Sequence, residues 1–155
     1  MKKFIKLLLP LTTVFNSTLS IAASIYFQGP CRQQPFLKMN VPSKHVIQKA
    51  SIGHITIDIL EKKNIEFLGS IKGLASVDNT PIGHEAIEVI SPNYLRAYGW
   101  CYEVNGFQPA KMPDQIIIKK NDVIRWFFAF SSFKDGEWID YCTPSYQIKS
   151  SFLCN

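Results

Sequence analysis

Several signatures of chemistry are missing from this chain. No two of its cysteines are spaced C-x-x-C, which removes the zinc knuckle and the thioredoxin-like redox pair. His45, His54 and His84 never stand three or four residues apart, so they form no helical metal clip. There is no G-x-S-x-G elbow to present a nucleophilic serine and no G-x-x-x-x-G-K-[ST] loop to cradle phosphates. Glu85 and Glu88 have no second acid placed to make a glycosidase pair. Repeats and low-complexity tracts are absent as well. The expectation is a non-enzymatic protein with no cofactor and no metal site.

An excess of one charge is also lacking. The formal charge of +5 falls to +2 once the first 22 residues are set aside, because they hold three of the 17 basic residues and none of the 12 acidic ones. The remaining lysines are scattered, at Lys44 and Lys49, Lys62 and Lys63, Lys119 and Lys120. A nucleic-acid binder concentrates its basic residues on one face, so no nucleic-acid partner is expected.

Those 22 residues read as a signal peptide. Lys2, Lys3 and Lys6 form a basic segment, Leu7 to Phe15 is apolar, and Ser20 and Ala22 fit the small-x-small rule for a cut between 22 and 24. The apolar run is far short of the roughly 20 residues that span a bilayer, so no membrane anchor is expected after cleavage. The expected destination is the periplasm or the medium. Residues 25–155 are expected to form a single domain.

All four cysteines lie in that domain, and an even count in an exported protein points to two disulfides with three possible pairings. The pairing preferred is Cys101 with Cys142 and Cys31 with Cys154. The second bond would tie the two ends together, closing a loop long enough to contribute about 2–5 kcal/mol.

Nine prolines and eight glycines punctuate short apolar runs, the pattern of a loop-rich β domain. Phe36–Val41, Ala86–Ile90 and Leu95–Val104 alternate as strands. Ile116–Phe130 reads as a strand, an Asn121-Asp122 turn and a second strand, and Glu137–Cys142 as a short strand after an Asp135-Gly136 turn. Gly69–Gly73 reads as a turn between strands. The segment 51–65 is ambiguous: Ile55, Ile57 and Ile59 alternate, yet Ile52, Ile55, Ile59 and Leu60 keep helical spacing behind Ser51, a good N-cap.

Aromatic residues are the strongest feature. In a strand through Tyr98, one face carries Tyr98, Trp100, Tyr102 and Val104, and Cys101 points the other way. Such rings stabilise a sheet by cross-strand pairing, and they also line ligand and partner surfaces. Tyr98, Trp100, Tyr102 and Trp138 are the candidate ligand-binding residues, Trp138 because it follows a charged turn in a short terminal strand.

"YGWCYEVNG" (98–106) and "NDVIRW" (121–126), with "FLGSIKGLASV" (67–77) upstream, resemble the transcobalamin C-terminal-like family, DUF4430, over about residues 36–130. "GEWIDYCTPSY" (136–146) is similar to the tail of exported proteobacterial members. Asn121 stands where the family usually has Gly, a substitution that a residue tolerant of the left-handed region can absorb. The resemblance implies an α+β fold: a β-grasp-like mixed sheet of five to seven strands with one packed helix, here disulfide-stapled, the helix falling on Ser51–Lys63. In cobalamin carriers a domain of this type closes over a corrinoid held against a separate helical domain. The expected function is therefore an exported binding module for a small planar ligand such as a corrinoid. The alternative is a secreted protein-interaction factor that uses the same surface or the 107–115 loop.

Overall fold

The computed structural model describes residues 22–148, 150 and 152–154. The expected signal peptide lies outside them except for its last residue, Ala22. The elements follow in the order β1 (Ser24–Gln28), β2 (Leu37–Asn40), α1 (Ser43–Ile47), α2 (Ile52–Lys62), β3 (Phe67–Ser70), β4 (Gly73–Val77), β5 (Ile87–Ser91), β6 (Tyr94–Val104), β7 (Val123–Lys134), β8 (Glu137–Trp138) and β9 (Thr143–Pro144). The main sheet has seven strands in the order β2-β1-β7-β6-β5, with β8 and β9 also pairing onto β7, while β3 and β4 form a separate hairpin. β1 runs parallel to β7 and the other pairs are antiparallel. With α2 packed across it, this is the α+β, β-grasp-like arrangement expected.

The ambiguous segment is a helix. Ser51 caps it, accepting a hydrogen bond from the His54 amide at 3.4 Å. Helical spacing puts Ile52, Ile55, Ile59 and Leu60 on one buried stripe, which an extended chain could not do. Thr56 is buried in the same stripe, and its hydroxyl accepts from the Trp126 indole N–H at 2.9 Å, so a polar pair locks the helix onto β7. Gly53 lets the helix approach the β3–β4 turn: a Cβ there would stand 1.9 Å from the Ile71 carbonyl oxygen.

The long β6–β7 ladder runs in unbroken register from Tyr94↔Lys134 to Val104↔Ile124. Asn105-Gly106 and Asp135-Gly136 both hold positive φ, as tight turns require, and end β6 and β7 where the sequence places those turns. Asn121 turns at φ +69° into β7.

Two expectations need correction. Ile116–Lys120 is not a ladder strand beside β7. It pairs instead with the start of α2: Ile52 N–H donates to the Ile116 carbonyl at 2.9 Å and Ile118 N–H donates to Ala50 at 3.1 Å. Helix amides without an internal partner need an acceptor, and this segment supplies one. The strand expected over Glu137–Cys142 is only Glu137–Trp138, because the Asp140 carboxylate accepts the Ser132 amide at 2.8 Å in place of a backbone partner. The chain then returns to β7 as β9.

Both disulfides form with the preferred pairing, Cys101–Cys142 and Cys31–Cys154, at Cα separations of 5.9 and 5.7 Å. No helix among the described residues is long and apolar enough to cross a membrane.

Gly53→Ala should lower stability by about 1–3 kcal/mol, the cost of forcing backbone apart in a packed contact. Chemical denaturation with the disulfides intact would measure it, and an unchanged midpoint would mean that α2 can ride off the β3–β4 turn freely.

Candidate functional site

Alternation along β6 sends Tyr98, Trp100, Tyr102 and Val104 to the face covered by α2, where they pair with Phe130, Phe128, Trp126 and Ile124 of β7. Tyr98 and Trp100 are buried, at 7 and 9 % exposure. Tyr98 stacks on Phe128 and Phe152, with centroids 6.1 and 6.3 Å away. Tyr102 stacks on Trp126 at 5.1 Å, and its hydroxyl donates to the Lys111 carbonyl, so the 107–115 loop caps that end of the strand. Trp138 is paired with Phe133 on the opposite face of the sheet and is half-exposed. The four rings therefore do not share one surface. Hydrophobic burial takes three of them under the helix side, and the register of the β7–β8 turn takes the fourth to the back.

Of the four, Trp100 lines a cavity. The space is about 330 Å³ and is lined by Gly29, Cys31, Arg32, Gln34, Phe36, Val77, Asp78, Leu153 and Cys154 beside Trp100. The indole N–H donates inward to the buried Thr80 hydroxyl at 2.8 Å, and the same oxygen accepts the Val77 amide at 3.1 Å. This fixes the ring, which meets Phe36 edge-on at 6.4 Å.

Each wall has its own support. The 29–36 loop closes where Phe36 N–H donates to the Phe27 carbonyl at 2.9 Å. Inside it, the buried Gln28 side-chain amide donates to the carbonyls of Arg32 and Gln33 at 3.1 and 2.6 Å. Gln28 Oε1 in turn accepts Arg125 Nε at 2.9 Å, and Arg125 pairs with Glu103 at 3.1 Å while lying over Phe127. Asp78, in the left-handed region at φ +52°, is anchored by its amide, which donates to Glu66 at 2.8 Å.

The wall at Leu153 and Cys154 is held by the Cys31–Cys154 bond, by the stacking of Phe152 on Tyr98 and by Glu88. The Glu88 carboxylate accepts Ser150 Oγ at 2.5 Å, Tyr98 Oη at 2.6 Å and an Arg96 N–H at 3.3 Å. Burial on its own would raise the Glu88 pKa. The hydrogen bonds from Ser150 and Tyr98 and the Arg96 charge outweigh it and hold the carboxyl below its ordinary 4.5. Burial and that carboxylate together push the Tyr98 phenol up.

Arg32, Phe36, Asp78 and Leu153 are the residues that sequence reasoning missed. Loop positions carry no periodicity, so the sequence held no local signal for any of the four. Among the described residues no three His, Cys, Asp or Glu side chains gather as a metal ligand set.

The fold and this cavity define a disulfide-stapled β-grasp-like domain with a small pocket beside its central strands. Residues 53–129 match the family model of DUF4430, a domain of unknown function, and this segment belongs to that family. No curated protein matches the chain. The solved structure of a "putative metal binding protein" from Ruminococcus gnavus is similar at a TM-score of 0.42 and 14% identity, over 68% of this chain and 93% of that one.

Glu88 gives the site a pH dependence. Its folded-state pKa lies below the unfolded value, so its contribution is complete above pH 4.5 and drains away as the pH falls toward the folded value. Glu88→Gln should cost about 1–3 kcal/mol at neutral pH and flatten the acid limb of the stability curve. Melting temperatures of both proteins across pH would test this; parallel acid limbs would remove Glu88 as the cause.

Proposed function

We propose that this chain is a non-enzymatic exported binding module of the transcobalamin C-terminal-like type, which takes a small planar ligand against Trp100. The observation that carries the reading is the cavity itself: an aromatic wall, polar rim groups and a volume at the lower end of the 300–1,000 Å³ usual for small-molecule sites. Because the indole N–H is already spent on Thr80, the wall presents ring surface and not a donor. A corrinoid is far larger than this space and would lie across the mouth with one edge inside. Export to the periplasm or the medium is supported by the two disulfides, which persist in oxidising compartments, and by the basic, apolar and small-residue order of the first 22 residues.

A second reading, a secreted protein-interaction factor, is favoured by one surface. Val89, Leu95, Phe133 and Trp138 stand opposite one another across β5, β6, β7 and β8, on the face away from α2. Val89 is 72 % and Trp138 45 % exposed, and β5 is an edge of the sheet. A partner strand added to β5 would extend the sheet beside Val89 and continue this row onto the partner.

Titration with a corrinoid and with a flavin separates the readings. Saturable quenching that disappears in Trp100→Phe and survives in Trp138→Phe is the expected result. No quenching by either, together with a partner retained from envelope fractions and lost in Val89→Lys, would replace the first reading with the second.

A further inference from the structure

The rim of the cavity is electrically two-sided. Arg32 brings a cation and Asp78 an anion, both exposed, and both line the same space of about 330 Å³. Neither makes an ion pair among the described residues, so both charges are open to a ligand. Their backbones are pinned. The Arg32 carbonyl accepts from Gln28 beside the Cys31–Cys154 bond, and the Asp78 amide donates to Glu66. Trp100, Phe36, Val77 and Leu153 add apolar surface to the same lining.

Resting on the reading of this cavity as a ligand site, we propose that it takes a free α-amino acid with a large apolar side chain. The carboxylate would meet the Arg32 guanidinium, whose planar fork suits a carboxylate; the ammonium would meet Asp78; the side chain would lie against Trp100 and Phe36. Charge complementarity argues for a zwitterion over other small ligands. An anion alone leaves Asp78 facing like charge, and a cation alone does the same to Arg32. A phosphate would need more than one cation, and the lining supplies Arg32 only. The volume fits a single amino acid and not a chain of several. Because both charges sit on anchored backbone, binding has to order their side chains and not the loops that carry them.

The test uses the purified, oxidised protein and three probes: L-phenylalanine, phenylacetate without the ammonium, and phenethylamine without the carboxylate. Calorimetric or fluorescence titration should give phenylalanine at least about tenfold tighter binding than either fragment, the effect of one added charge-assisted contact. Arg32→Gln should bring phenylalanine down to the level of phenethylamine, and Asp78→Asn to that of phenylacetate. Both side chains are exposed, so unchanged melting temperatures are expected to accompany these losses. Either fragment binding as well as phenylalanine would overturn the zwitterion and leave the cavity standing as a site. Binding of a corrinoid or flavin with none of the three probes would do the same. If nothing binds, both the inference and the reading under it fall.

Discussion

Phe127 and Phe128 are neighbours on β7, point to opposite faces of the sheet, and are both buried. A central strand with two buried faces needs two covers, and the described residues hold only one substantial helix. Helix α2 serves the face of Phe128 and is fastened there by the Trp126–Thr56 hydrogen bond. The face of Phe127 is left to the C-terminal segment, which has little regular structure to hold it. That segment is fastened by other means: the Cys101–Cys142 bond, the β7–β9 pairing and the Asp140 carboxylate on β7. Beyond Tyr146 it reaches the helix-side face, where Ser150 and Phe152 meet Glu88 and Tyr98. There the end of the segment, at Leu153 and Cys154, forms one wall of the cavity beside Trp100.

The parts of the fold that were legible in the sequence are those with strict alternation or a pinned turn. β6 and its Asn-Gly end could be read because one face of the strand is continuously aromatic. The helix over Ser51–Lys63 needed the family likeness, since three alternating isoleucines satisfy a strand as well as a helix until tertiary contacts decide. Ile116–Lys120 misled for the opposite reason. Its isoleucines suit a strand, but the unsatisfied amide at the start of α2 captured it.

The candidate site was legible only at Trp100. Its other walls come from the 29–36 loop, the Val77–Asp78 turn and the last described residues. Convergence of four separate stretches leaves no local pattern, and none of these residues has a chemistry that singles it out alone. Gln28 shows the difficulty well. A glutamine at a strand end looks incidental, yet it joins Arg125 on the sheet to the backbone of the loop that carries Arg32.

The Cys31–Cys154 bond also has a mechanical meaning. Between those two residues, 123 positions apart, the chain is a covalently closed ring that contains every element of the described residues except β1. A pull applied ahead of β1 therefore works first against β1 alone, shearing it from β7 and β2. It then meets the disulfide at Cys31, and where the chain is held beyond Cys154 the load passes directly to Cys154 without entering the ring. The helix, the β6–β7 ladder and the aromatic core are shielded from tension at the chain's front end. Anything that threads this protein from that end, whether a translocase or a processive protease, has to draw two lengths of chain at once a few residues past β1 until the bond is reduced.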